Sequence, residues 1–107
     1  MAEVATTKLY ENEKIIVWEM ILEPGESSGL HTHAHSYLFH VLEGSTGEVT
    51  DKHGKSVGQL TMEPGFTMYL ELVGQELVGS GDFRIPITHS ARNVGTTRFR
   101  EILVETK

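Results

Sequence analysis

The 107-residue chain contains no cysteine. Disulfide bonds, thiolate metal ligands and a cysteine nucleophile are therefore all excluded. Basic residues are also few, because nine lysines and arginines stand against fifteen acidic residues, which gives a net charge of −6. Since nucleic-acid affinity depends on clustered lysine and arginine, we expect no nucleic-acid partner.

Long hydrophobic runs are missing as well. The longest uninterrupted apolar stretches have only three or four residues, whereas a membrane-spanning helix needs about twenty. The first fourteen residues show no basic segment followed by an apolar stretch, so no signal peptide is recognisable. We therefore expect a cytoplasmic protein with no membrane partner.

The chain is divided into short segments by eleven glycines and three prolines. No stretch keeps a helical period for more than two turns, whereas short apolar or alternating segments recur between turn sequences. The segments that we predict as strands are 14–22, 30–44, a hairpin over 45–62, 67–73, 84–93 and 98–105. This pattern predicts a single all-β domain over residues 1–107, a sandwich or barrel whose core covers about 13–105.

Four of the six histidines lie within the segment "PGESSGLHTHAHSYLFHVLEG", residues 24–44. His31, His33 and His35 alternate with other residues, so on a strand their side chains point to one face. Neutral imidazole binds zinc, iron, manganese, nickel and copper, and two histidines on one strand face can share an ion. His89 lies in another predicted strand and is the best candidate for a third ligand. The alternative is a polar strand face that carries histidines by chance.

Both histidine segments resemble the conserved motifs of the cupin superfamily of small β-barrel proteins. The motif positions that match are Gly25, His31, His33 and Gly44 in the first segment, and Gly81, Asp82, Pro86, His89 and Asn93 in the second. The opening segment 10–28 resembles the minimal single-barrel cupins of bacterial beta-alanine degradation. The resemblance implies a double-stranded β-helix, or jelly-roll barrel, in which His31, His33 and His89 bind a divalent iron, zinc, nickel or manganese ion.

Two positions depart from the cupin pattern. Tyr37 stands where the family usually has a glutamate ligand, and the loop from Pro86 to His89 is two residues shorter than usual. The resemblance then implies a three-histidine centre, as in some cupin dioxygenases. Tyr37 is our candidate catalytic residue, as a weak ligand, a hydrogen-bond donor or a general base, and the alternative is a core tyrosine. Glu71 or Glu76 could instead restore a carboxylate ligand.

Several further residues are predicted to surround the site. His35 shares the inward parity and could be a fourth ligand, a proton shuttle or a residue at the barrel mouth. Asn93 either lines the site or makes a structural hydrogen bond at a strand end. Phe39 and Met68 belong to the core or to the wall of a ligand pocket. His40 has the opposite parity and is predicted on the outer face.

Three functions agree with this sequence. The first is a metal-dependent enzyme, either an iron dioxygenase or a lyase or isomerase, that acts on a small anionic or carbonyl-bearing molecule. A centre with three neutral ligands would keep a charge of about +2, which favours such substrates. The second is a non-catalytic metal-containing binding or sensor module, and the third is a metal-free scaffold or interaction protein. Because segment 14–22 is apolar on both faces, we also expect a homodimer.

Overall fold

The structure, a computed structural model, describes residues 1–107 and is built from β-strands alone. The eleven strands are β1 (Thr7–Glu11), β2 (Ile15–Leu22), β3 (His31–Thr32), β4 (Ser36–Glu43), β5 (Ser45–Asp51), β6 (Ser56–Met62), β7 (Thr67–Val73), β8 (Glu76–Val78), β9 (Arg84–Pro86), β10 (Thr88–Asn93) and β11 (Phe99–Thr106). The molecule has no helix long and apolar enough to cross a membrane.

The strands form two antiparallel sheets. One has seven strands in the order β1-β2-β11-β4-β7-β8-β9, and the other has four in the order β3-β10-β5-β6. Sequence neighbours such as β2 and β3 lie in different sheets, while β11, the last strand, inserts between β2 and β4. The predicted all-β jelly-roll barrel is therefore confirmed.

The interior is filled from the central strands of the seven-stranded sheet, where alternate side chains point inward. The inward residues of β2, β4 and β11 are Trp18, Met20, Leu22, Tyr37, Phe39, Val41, Phe99, Glu101, Leu103 and Glu105. Two glutamates thus share the barrel interior with large apolar side chains. Since buried carboxyl groups are costly unless they are paired or protonated, both need a physical explanation.

The sequence located most of the long strands but missed several short ones. β1 was not predicted, because all five of its residues are exposed and it shows no buried alternation. The predicted strand 30–44 is interrupted between β3 and β4, where the chain passes from one sheet to the other. The predicted strand 84–93 is likewise divided at Ile87, next to Pro86, which has no N–H to donate.

Two glycines of the first histidine segment are required by the backbone. Gly25 has a φ of 88°, in the left-handed region that side chains rarely adopt. At Gly44, between β4 and β5, an added Cβ would overlap the carbonyl oxygen of Met62. The two glycines thus form tight turns at either end of the histidine segment.

Candidate metal centre

Three histidines meet at one edge of the four-stranded sheet. His31 of β3 and His89 of β10 are direct cross-strand partners. His33 follows β3, and its backbone N–H donates to the carbonyl of Ile87 at 2.9 Å. The strand pairing therefore brings together the three residues that the sequence predicted as ligands.

The geometry of this triad fits a single ion. The ring centroids are 4.9 Å apart for His31 and His33, 4.7 Å for His31 and His89, and 5.0 Å for His33 and His89. One ligand atom of each residue lies within 4.8 Å of the others, and no triad residue is more than 4% exposed. Metal–nitrogen distances are about 2.1 Å, so modest ring rotations suffice to bring the three nitrogens onto one ion.

Backbone carbonyls fix two of the rings. His31 Nδ1–H donates to the carbonyl of Gly29 at 2.9 Å, and His89 Nδ1–H donates to the carbonyl of Pro86 at 2.6 Å. Each bond leaves Nε2 as the nitrogen that carries the lone pair. The short loop from Pro86 to His89 is therefore compatible with ligation, because it supplies the carbonyl that holds the ring.

Burial favours the neutral form of His31 and His89. Desolvation lowers the pKa of His31 to about 4 and the pKa of His89 to about 3. A metal binds only the neutral imidazole, so a centre in which the histidines resist protonation is prepared for an ion. The buried set of three imidazole donors fits a divalent transition metal.

Tyr37 of β4 lies against the triad, as its inward parity predicted. Its ring stacks on His33 with a centroid distance of 4.4 Å and an angle of 19°. Burial raises the pKa of its phenol well above the usual value, and the carboxyl groups of Glu101 and Glu105 raise it further. The phenol thus keeps its proton, which favours a hydrogen-bond donor over a general base.

A cavity of about 100 Å³ lies beside the histidines. Its walls are mostly apolar and include Met20, Phe39, Leu70 and Leu103, whereas the triad, Tyr37 and Glu101 supply polar groups. An apolar cavity of about 150 Å³ is enough to bind benzene, so this space suits a molecule of only a few non-hydrogen atoms.

Asn93 borders the cavity, but all its hydrogen-bonding capacity is used by the fold. Its Nδ2 donates to the carbonyls of Leu22 at 2.9 Å and Thr97 at 2.8 Å. Its Oδ1 accepts from Ser45 Oγ at 2.8 Å and from the Gly95 N–H at 3.0 Å. The structure shows both predicted placements, but the hydrogen bonds within the fold leave no polar group of Asn93 free for a ligand.

The other candidate residues differ in whether they line the cavity or lie away from it. Phe39 lines the cavity, whereas Met68 does not, because its Sδ packs against Gly79 in the core. His35 is half-buried and lies outside the triad. Glu71 and Glu76 are exposed, and Glu76 pairs with an arginine, so neither joins the histidines.

Sequence reasoning missed the two buried acids of β11. Glu101 lines the cavity, and burial raises the pKa of its carboxyl to about 8. Glu105 accepts a hydrogen bond from Trp18 and lies near His33. Both acids share a strand face with Phe99 and Leu103, but the opposite face carries Ile102 and Val104, so the sequence alone does not mark the acids as buried.

Comparisons with known proteins agree with this fold. Residues 18–71 match the family model described as the cupin domain. A cupin domain from Bordetella pertussis has a TM-score of 0.69 and 21% identity, covering 94% of this chain and 90% of that one. A protein from Bacillus halodurans has a TM-score of 0.60 and 18% identity, covering 92% of this chain and 67% of that one. The polyketide cyclase RemF from Streptomyces resistomycificus has a TM-score of 0.57 and 21% identity, covering 92% of this chain and 61% of that one.

No curated protein matches the chain. The solved structures are under 25% identical and therefore show the fold alone, whereas the family model covers half of the sequence, including His31 and His33. Together with the jelly-roll topology and the histidine triad, this match shows that the chain belongs to the cupin family.

Proposed function

We propose that this cupin is a metal-dependent enzyme that acts on a small anionic or carbonyl-bearing molecule. The observation that carries the proposal is the convergence of three buried imidazoles on the wall of a mostly apolar cavity. A divalent ion held there by His31, His33 and His89 would supply Lewis-acid or, for iron, redox chemistry.

The charge of the centre favours a ligand oxygen that carries negative charge. Imidazole ligands bring no negative charge to the ion, and Glu105 is the carboxylate beside the triad, 3.9 Å from His33 Nδ1. The ion's charge exceeds that of this single carboxylate, so the centre stays positive. An anion or a polarised carbonyl in the apolar cavity gains more from this charge than it would in water.

Two protonated groups can orient such a ligand. Tyr37 is 5% exposed, lines the cavity and keeps its phenolic proton. Glu101 also lines the cavity, and its pKa of about 8 leaves the carboxyl protonated at neutral pH. We assign both as hydrogen-bond donors to the ligand, with Tyr37 nearest the ligating His33.

The size of the cavity restricts the substrate. The structural relative RemF is a polyketide cyclase, and a polyketide has far more atoms than a cavity of about 100 Å³ can enclose. We therefore propose a substrate of only a few carbon atoms, comparable to a short carboxylic acid or diketone.

A non-catalytic binding or sensor module is the second candidate function. It is favoured by the protonation of Tyr37 and Glu101, because two hydrogen-bond donors without a free base can hold a ligand and leave it unchanged. Turnover distinguishes the two functions.

The metal content of the protein, purified without a chelating tag, tests the proposal. We expect one transition-metal ion per chain by mass spectrometry, and its loss in the His31→Ala, His33→Ala variant. His53→Ala is the matched control, because His53 is exposed in the turn between β5 and β6. Oxygen uptake with small diketones, thiols and aromatic acids then tests the enzyme if the ion is iron. An absence of metal after reconstitution would exclude both functions.

We also propose that the protein is a homodimer through the outer face of the seven-stranded sheet. One row of directly paired residues crosses five strands of this face and is apolar throughout: Tyr10, Val17, Val104, Leu38 and Tyr69. Tyr10 and Tyr69 are about half exposed. The ion pair of Glu19 and Arg100 flanks the row and places both charge signs beside it. A second copy related by a two-fold axis offers the same apolar row with the same flanking charges.

A further inference from the structure

The three histidines differ in what their Nδ1 atoms contact. Nδ1 of His31 and Nδ1 of His89 each donate to a backbone carbonyl. Nδ1 of His33 is the single buried side-chain polar atom in the molecule that has no hydrogen-bond partner. A metal-bound histidine almost always donates its second N–H, so His33 lacks a partner that its neighbours already have.

A buried carboxylate faces this nitrogen. Glu105 Oε2 lies 3.9 Å from His33 Nδ1, and the residue is 3% exposed. The other oxygen, Oε1, accepts a 2.7 Å hydrogen bond from Trp18 Nε1–H. The indole therefore fixes one end of the carboxylate and leaves the other end directed at His33. A movement of about 1 Å would complete the hydrogen bond.

The strand register gives this arrangement a simple origin. Glu105 of β11 is the direct cross-strand partner of Tyr37 of β4, and Tyr37 stands where the first cupin motif usually has its carboxylate. The chain thus carries a carboxylate one strand away from that position. From β11 the carboxylate approaches Nδ1 of His33, and Glu105 is not among the residues whose atoms converge with the triad.

We propose that Glu105, held by Trp18, is the positioning residue of His33: when a metal binds Nε2 of His33, Nδ1–H donates to Glu105 Oε2. The inference rests on the proposed metal function. The carboxylate fixes the tautomer and the orientation of the imidazole and makes Nε2 a stronger donor to the ion. In place of the missing carboxylate ligand, the chain thus holds an anion that is hydrogen-bonded to the far nitrogen of a ligating imidazole.

Zinc titration of the full-length protein tests this proposal in solution. Affinity is measured by competition with a chromophoric chelator for the wild type and for Glu105→Leu, Glu105→Gln and Trp18→Phe. We expect Glu105→Leu to bind zinc 10- to 100-fold more weakly. Glu105→Gln should lose less, because its amide oxygen still accepts a hydrogen bond. Trp18→Phe should fall between the wild type and Glu105→Leu, and Glu71→Gln, which removes an exposed charge, should bind as the wild type does.

A second measurement needs no variant and therefore does not depend on how well Glu105→Leu folds. Long-range ¹H–¹⁵N correlation spectra of the wild type show which nitrogen of His33 carries the proton. With zinc we expect a proton on Nδ1, shifted downfield by a charged acceptor. Trp18 is the only tryptophan, so its fluorescence should also change up to one equivalent of zinc.

Three results would overturn the inference. If the wild type binds no zinc, the proposed function and this inference fail together. If the wild type binds zinc and Glu105→Leu binds it within twofold, only the role of Glu105 is refuted. A His33 signal with the proton on Nε2 in the zinc-loaded protein would also refute that role, because Nδ1 would then be the ligand.

Discussion

Replacing Glu101 with glutamine is expected to stabilise the protein, and to do so more strongly as the pH rises. Burial raises the pKa of this carboxyl from the ordinary 4.5 to about 8. In the unfolded chain the same group titrates at its ordinary value. Between these two pKa values folding takes up a proton, so stability is lost as the pH rises from about 4.5 through about 8. Glutamine keeps the shape of the side chain and removes the titration.

The size of the effect follows from the two pKa values. The gain in the free energy of unfolding for Glu101→Gln is about 1 kcal/mol at pH 5 and about 3 kcal/mol at pH 7. At pH 4 both the folded and the unfolded chain hold the carboxyl mostly protonated, so little gain remains. A gain of this size at pH 7 is large against a total stability of about 5–15 kcal/mol for a small domain.

Urea denaturation at pH 4, 5, 6 and 7, followed by circular dichroism, measures this dependence. The wild type and Glu101→Gln are compared at each pH, in the metal-free state so that ligation does not contribute. Glu71→Gln is the control, because its side chain is exposed and its substitution should change stability by less than about 0.5 kcal/mol. A stability difference that is the same at all four pH values would refute the reasoning, since it would mean that the Glu101 carboxyl does not titrate anomalously.

Three further predictions concern the triad, the strand ends and the outer face. Burial lowers the pKa of His31 to about 4 and of His89 to about 3, so bound zinc should remain after dialysis at pH 5.5 and be lost near pH 4. The metal-free protein should lose stability as the pH falls below 6.5, because the unfolded histidines then take up protons. Complete loss of zinc at pH 6 would contradict the lowered pKa values. Asn93→Ala removes four hydrogen bonds and should lower the free energy of unfolding by about 3 kcal/mol, as measured by urea denaturation. A decrease below about 1 kcal/mol would show that water replaces these hydrogen bonds. Sedimentation velocity at micromolar concentration should give a dimer for the wild type and a monomer for Leu38→Asp, and a monomeric wild type would refute the proposed interface.

The long strands and the histidine triad could be predicted from the sequence, because each is marked by a pattern of neighbouring residues. The strands β2, β7 and β11 differ from the predicted segments 14–22, 67–73 and 98–105 by at most one residue at either end. His31 and His89 were placed on one site by parity and motif, and they prove to be direct cross-strand partners. The strands were predicted because each is a short apolar run between turn residues, and the histidines because alternate residues of a strand share one face.

The interior acids and the short strands could not be recognised in the same way. In β11 the outward residues Ile102 and Val104 are as apolar as the inward Leu103, so hydrophobicity alone does not reveal which face holds Glu101 and Glu105. Only the three-dimensional register, which sets Glu105 beside Tyr37, decides it. β8 and β9 have three residues each, too few for a periodic pattern.

The position of β3 sets a limit on how the ion can enter and leave. β3 has only two residues and forms the edge of the four-stranded sheet, paired to β10 alone. Short edge segments open more readily than central strands. When β3 separates from β10, His31 and His33 leave His89 together, so two of the three ligands are released in one movement. Metal exchange should therefore follow the opening rate of this two-residue strand, and the dissociation rate should respond to substitutions that strengthen or weaken its pairing even when equilibrium affinity changes little.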